Sequence, residues 1–234
     1  MSVFTTTEKV SVEDIDKNFK MKIRGFLRIL QEAANRASTD VGKGISNIPS
    51  THKTWILLYW RIKIIKRPQY GDELEITTWA NSYKKLYSLR NFEIRCNDEL
   101  IAIADSKWVY VDSNSHSILK ISDDIARAYE TNKENVFEEE FKDRIKMPND
   151  ANKVLTYKIM KRDLDVNHHV NNISFLDIAI EAIPDETILN ANEIYITYKK
   201  EIEYGDSVSC YTKNETVYLY DEEKNVLHGT ITLK

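Results

Sequence analysis

The chain has 234 residues, 42% of them hydrophobic, and 33 basic against 37 acidic side chains give a formal net charge of −4. Six glycines and four prolines exclude collagen-like and low-complexity classes, and the near-neutral balance excludes a dedicated nucleic-acid binder. The length allows one or two domains, with a core that needs no disulfide or metal staple.

The opening Met1-Ser2-Val3-Phe4-Thr5 runs quickly into charge, unlike a secretory leader, and no apolar run is long enough to span a bilayer. A cytoplasmic protein without membrane insertion is therefore expected. The Asp/Asn-rich stretch Asp14 to Lys20 precedes Phe26, Leu27, Ile29, Leu30, Ala33, Ala34 and Ala37, whose spacing of three and four predicts a one-sided helix. Tyr59, Ile62 and Ile64 belong to a β-rich run ending at Arg67-Pro68, and Tyr70-Gly71-Asp72 reads as a turn. Leu74, Ile76 and Thr78 alternate with Glu75, Thr77 and Trp79 as in a half-buried strand, and Ser88–Arg95 and Ile101–Val111 add two more.

The segment 123–150 interrupts this pattern. It holds nine acids and five bases, so it carries the whole net charge, and the rest of the chain balances. It is expected to be an acidic linker. A second Asp/Asn-rich stretch, Asp163 to His169, then precedes an apolar stripe at Phe175, Leu176, Ala179, Ile180 and Ile183, which Pro184 stops. Strands are expected at 193–203, 207–213, 216–220 and 227–233.

The two halves match. Asp14-Ile15-Asp16-Lys17-Asn18 aligns with Asp163-Leu164-Asp165-Val166-Asn167 at an offset of 149, as do Phe26-Leu27 with Phe175-Leu176 and Glu32-Ala33 with Glu181-Ala182. Tyr70-Gly71-Asp72 aligns with Tyr204-Gly205-Asp206 at an offset of 134. Four matches in order point to a duplication. The expected organisation is an N-terminal repeat over 1–122, the linker over 123–150 and a C-terminal repeat over 151–234. Each repeat is α+β, one helix laid on an antiparallel sheet.

Chemistry concentrates before the second helix. If Asp165, Asn167 and His169 lie in extended chain, these alternate positions place a carboxylate, a carboxamide and an imidazole on one face. They would sit beside a helix N-terminus, whose N–H groups suit an oxyanion. Asp and Asn before a helix are equally good caps and turn formers. The repeat bears on that choice, because the first copy keeps Asp14, Asp16 and Asn18 but has Lys20 in place of His169. Only the histidine distinguishes the second copy.

No metal or cofactor site is expected. Asp163-x-Asp165-x-Asn167 imitates the start of a calcium loop, but His168 occupies the glycine position and Ser174 the position of the bidentate glutamate. Cys96 and Cys210 fit no zinc or disulfide spacing, and the chain has no glycine-rich phosphate loop.

Arg162-Asp163-Leu164-Asp165-Val166-Asn167-His168-His169-Val170-Asn171-Asn172 resembles the block DLDVNQHVNN of the acyl-acyl carrier protein thioesterases of plant plastids and bacteria. Tyr198-Lys199-Lys200-Glu201 resembles that family's YRRE. The stretch from Thr54-Trp55 to Tyr70-Gly71-Asp72, and Ala104-Asp105-Ser106-Lys107-Trp108-Val109, resemble two further blocks in the same order. The resemblance implies a tandem hot-dog fold, with a long helix wrapped by an antiparallel sheet in each half. It also implies hydrolysis of fatty acyl-acyl carrier protein, with Asp165, Asn167, His169 and Glu201 as the catalytic set. The family often has a cysteine directly after the glutamate. Ile202 stands there in this chain, so water attack assisted by His169 and Glu201 is expected in place of a covalent cysteine mechanism.

An acyl chain needs an apolar slot, and Trp55, Leu57, Tyr59 and Trp79 are candidate wall residues, with core packing as the alternative for each. An acidic carrier protein needs a basic surface. Arg61, Lys63, Lys66 and Arg67 are candidates, and Lys20, Lys22 and Arg24 are a second set. An acyl-CoA thioesterase and a non-catalytic acyl-binding module are the competing readings. Either a monomer or a homodimer is compatible with the duplication.

Overall fold

The structure is a computed structural model that describes residues 3–84, 86–129, 134–142 and 145–234. Parts of the expected linker, 130–133 and 143–144, lie outside the described residues. The chain divides into two compact units. The first runs to Glu140 without Tyr59–Arg61, and the second joins those three residues to Phe141–Lys234.

In the first unit, β1 (Phe4–Lys9) precedes α1 (Ile23–Asp40), the single turn α2 (Ile48–Thr51), β2 (Lys53–Ile64), β3 (Glu73–Lys84), β4 (Tyr87–Cys96) and β5 (Glu99–Asp112). The short strand β6 (Ser117–Ile118) pairs with β5, and α3 (Asp123–Ala128) follows. The sheet order is β1-β3-β4-β5-β2. All seven apolar residues of the expected stripe on α1 are buried, together with Ile23 and Gly25. Burial of each large aliphatic or aromatic side chain is worth about 1.5–3 kcal/mol, which holds this helix on the sheet far more firmly than helix propensity does.

In the second unit, β7 (Asn152–Lys158) precedes α4 (Asn172–Ile180), α5 (Asp185–Asn190), β8 (Glu193–Tyr198), β9 (Ser207–Lys213), β10 (Thr216–Asp221) and β11 (Val226–Leu233). Its sheet order is β8-β11-β10-β9-β7. In each unit the third, fourth and fifth strands form the centre, and the first and second strands flank them. The duplication seen in the sequence is thus a duplication of topology.

The shared landmarks are turns with shared chemistry. Gly71 (φ 87°) and Gly205 (φ 91°) adopt a backbone conformation that only glycine takes without strain. Asp72 accepts the Gln69 N–H at 2.8 Å, and Asp206 accepts the Glu203 N–H at 3.1 Å.

Two expectations need correction, and two strands come in addition to those expected. The edge strands β1 and β7 are not visible as apolar alternation, because Phe4-Thr5-Thr6-Thr7 and Asn152-Lys153 are largely polar. An edge strand pairs on one side only and tolerates such residues. The second helix is half the length of the first and ends at Ile180. There, N–H groups of Ala182 and Ile183 bond three residues back, and Pro184 disfavours helix in the residue before it. The strand expected to run to Glu203 stops at Tyr198. The N–H groups of Lys199 and Lys200 both converge on the His228 carbonyl, at 2.7 and 3.1 Å, which peels the following residues off the ladder.

The acidic segment is partly packed. Ile125 and Tyr129 join a buried cluster with Ala80, Tyr110 and Ile121. Asn91, 1% exposed on β4, accepts the Val136 N–H at 3.1 Å and donates to the Asn135 side chain at 3.3 Å. No helix among the described residues is long and apolar enough to cross a membrane.

Candidate active site

The site lies within the second unit, on two loops. The first, Asp165 to His169, is a tight turn. This differs from the extended chain expected, and the reason is local. Asp165 Oδ1 accepts the N–H of Asn167 at 2.8 Å and of His169 at 3.2 Å. The Asp165 N–H donates to the His169 carbonyl at 2.7 Å, and His168 takes φ 64° to close the turn. A carboxylate two and four residues ahead of free N–H groups competes successfully with extended backbone. Asp165 therefore acts on His169 through the main chain. Its other oxygen lies 3.4 Å from the Asn167 amide nitrogen, and Asn167 itself is exposed.

The first repeat builds the same turn. Asp16 Oδ1 accepts the N–H of Asn18 at 2.8 Å and of Lys20 at 3.1 Å, and Phe19 takes φ 62°. The turn chemistry is thus shared by both copies, and what stands on it is not.

The second loop, Lys199 to Glu203, carries Glu201. The Val170 N–H donates to the Ile202 carbonyl at 2.9 Å, and His169 forms an isolated antiparallel bridge with Glu203. These bonds stitch the two loops together and bring Glu201 Oε2 to 3.5 Å from His169 Nε2. The imidazole is 29% exposed and the carboxylate 51%, so the pair is open to solvent. An imidazole with a carboxylate at one ring nitrogen is set up to take a proton at the other.

The equivalent pair in the first repeat is Lys20 and Arg67. The offset of 134 that aligns the Tyr-Gly-Asp turns also places Arg67 opposite Glu201. Arg67 donates to the Met21 carbonyl at 2.9 Å, and burial pulls its pKa below the ordinary guanidinium value. Two cations in place of an imidazole and a carboxylate leave no base. That alignment was a sequence signal for Glu201, independent of any motif.

Comparison with known proteins identifies the family. A family model described as the acyl-ACP thioesterase N-terminal domain matches residues 1–129, and its C-terminal partner matches 146–231. The chain belongs to the acyl-ACP thioesterase family. The oleoyl-acyl carrier protein thioesterase of Coriandrum sativum, a chloroplastic protein, is 28% identical over 228 residues, which cover 86% of this chain. The chain spans 60% of the length of that relative. An acyl-ACP thioesterase from Bacteroides thetaiotaomicron superposes with a TM-score of 0.87 at 21% identity, covering 99% of this chain and 97% of that one. The 12:0-ACP thioesterase of Umbellularia californica gives 0.85 at 19% identity, covering 100% and 97%. The fold is the double hot-dog.

Within this acyl-ACP thioesterase fold, Cys210 is poorly placed for chemistry. Cys210 is fully buried, its thiol contacts the Ile178 carbonyl at 3.7 Å, and burial, with the nearby Glu181, pushes its pKa up to about 12. A thiol held protonated is a poor nucleophile. Ile202, at the position where the family often has cysteine, is also fully buried. Replacing Cys210 by Ala is expected to leave turnover within about threefold, because the buried thiol is held protonated and only packs and bonds within the core. A burst of covalent acyl-enzyme that Cys210→Ala removes would contradict this.

At the N-terminus of α4 two N–H groups have partners within the loop. Asn171 caps α4 by accepting the Ile173 N–H at 2.9 Å, and the Ser174 N–H bonds to the Asn171 carbonyl at 2.9 Å. Those two donors are already engaged, and the Asn167 amide, two residues before His169, is exposed.

The other candidates take the following places. Trp55 is half-buried, its indole N–H 3.2 Å from the Tyr129 hydroxyl and its ring 4.8 Å from Tyr110. Leu57 and Trp79 are buried, and the Trp79 indole donates to the Glu134 carbonyl at 3.1 Å. Tyr59 is buried with its ring 5.0 Å from Phe141. Arg61 is half-buried, Lys63 is exposed, and Lys66 is exposed and paired with Glu99 at 2.5 Å.

Proposed function

We propose that the protein hydrolyses the thioester of fatty acyl-acyl carrier protein, releasing free fatty acid and carrier protein and so ending chain elongation. The observation that carries this reading is the His169–Glu201 pair at 3.5 Å, present in one repeat and replaced by Lys20 and Arg67 in the other. Nε2 keeps its proton and turns it towards the Glu201 carboxylate, which leaves Nδ1 as the basic nitrogen. Nδ1 takes a proton from water as the water oxygen attacks the thioester carbonyl carbon. The Asn167 amide donates to the oxygen that gains negative charge. Collapse of the tetrahedral intermediate breaks the C–S bond, and the imidazolium returns the proton to the departing thiolate. Asp165 keeps the loop in shape throughout, through its two bonds to main-chain N–H groups.

On this reading the acyl chain is recognised by apolar residues among Trp55, Leu57, Tyr59 and Trp79. The acidic carrier protein is met by basic residues among Arg61, Lys63, Lys66 and Arg67. Rates on carrier-protein and CoA thioesters of one acyl chain test the proposal. Faster release of fatty acid from the carrier-protein form is expected. Faster release from CoA would make the enzyme an acyl-CoA thioesterase, and release no faster than in buffer would make it an acyl-binding module.

A further inference from the structure

His228, on β11, is 1% exposed and lies within the second unit away from both site loops in sequence. Its Nδ1 is 3.1 Å from the Lys200 carbonyl. A carbonyl only accepts, so Nδ1 carries the proton and donates it. Nε2 is buried with no hydrogen-bond partner, and the closest charged group facing it, Asp221 Oδ2, is 4.0 Å away. An imidazole in that position is costly, because a buried nitrogen without a partner has lost its water. An aliphatic side chain would fill the same space without that loss.

The first repeat has one. Ile65 and Lys66 donate their N–H groups to the Ile101 carbonyl at 2.8 and 3.1 Å, just as Lys199 and Lys200 donate to the His228 carbonyl at 2.7 and 3.1 Å. Ile101 and His228 therefore occupy one structural position, and the main-chain clamp is common to both repeats. The side-chain bond to Lys200 is added only in the second. There the next residue is Glu201, and in the first repeat the corresponding residue is Arg67. The costly histidine and the glutamate occur together, in the copy that also carries His169.

We propose that His228 is a positioning residue for Glu201. Its Nδ1–H holds the peptide plane directly before Glu201, and with it the direction in which the carboxylate meets His169. It touches neither substrate nor the reacting atoms. This inference rests on the hydrolytic role proposed for Glu201, and the test separates the two.

The variants are H228I, which restores the residue of the first repeat, H228N, H228Q and E201Q, assayed by free-thiol release from a fatty acyl-carrier protein, with melting temperatures recorded. H228I is expected to lower kcat by about tenfold to a hundredfold, the range for small misplacement of a reacting group, with KM within about twofold. Its melting temperature should equal or exceed that of the parent. Asn can present an amide N–H near the Nδ1 position, so H228N should recover to within about threefold of the parent. H228Q, whose amide reaches towards the Nε2 position, should stay as low as H228I. In the E201Q background H228I should add no further loss. The inference is overturned if E201Q lowers kcat while H228I does not, if the two losses multiply, or if H228N and H228I are equally impaired. E201Q at the parental rate would overturn the role of Glu201 itself, and this inference with it. Should H228I fail to fold, the contrast between H228N and H228Q decides alone.

Discussion

Replacing His169 by alanine should lower kcat by about 10²- to 10⁴-fold, the usual loss when a positioned general base is removed. The fold should survive. The turn that carries His169 is built from its main-chain N–H and carbonyl and from the Asp165 carboxylate, none of which the substitution touches. The imidazole is 29% exposed, so its loss removes some buried area but no part of the turn itself. The change in unfolding free energy should stay at about 1 kcal/mol, as for ordinary substitutions at partly buried positions. His169→Lys offers a stricter control, since Lys20 stands on the same turn in the first repeat with the same main-chain bonds. It should melt with the parent and be as inactive as His169→Ala. Steady-state kinetics on a fatty acyl-carrier protein, with melting curves on the same samples, check both. Parental turnover in His169→Ala would remove the base from the mechanism.

Trp79→Ala should produce the largest loss of stability, about 3–5 kcal/mol, as for other buried large-to-small substitutions of this kind. Trp79 is 1% exposed in the centre of β3 and closes its indole N–H on the Glu134 carbonyl. Truncation leaves a cavity in the first unit and orphans an acceptor that ties the acidic segment down. At about 2–4 °C per kcal/mol for a chain of this length, the melting temperature should fall by roughly 6–20 °C. Trp79→Phe separates packing from substrate recognition, because it keeps most of the volume and loses only the indole bond. A Trp79→Phe enzyme with near-parental stability but an altered preference among acyl chain lengths would support a wall role for this residue. Unchanged preference would leave Trp79 to the core.

Local features of the sequence were reliable guides where local forces dominate. The stripe from Phe26 to Ala37 folds as the buried face of α1, and Ser207–Lys213 is a strand to the residue. The Asp-x-Asn turns failed as extended chain for an equally local reason. A short carboxylate beside free N–H groups makes a turn, the same chemistry that makes Asp and Asn good caps. Edge strands such as Phe4–Lys9 escaped notice because their pairing is paid for by one neighbour and needs little apolar surface.

The candidate site divides along the same line. From the sequence by itself came the duplication, the shared Asp and Asn of the two turns, and His169 as the residue that only one copy has. Meeting Glu201 was decided in three dimensions. Glu201 reaches His169 because two N–H groups share the His228 carbonyl, the strand ends there, and the freed loop bonds through Ile202 to Val170. Such contacts depend on where a ladder breaks and which loop it releases, and no periodicity within either loop encodes them. Hydrophobic spacing and turn chemistry act over a few residues and are written in order along the chain, whereas the meeting of His169 with Glu201 is a property of where the sheet ladder ends.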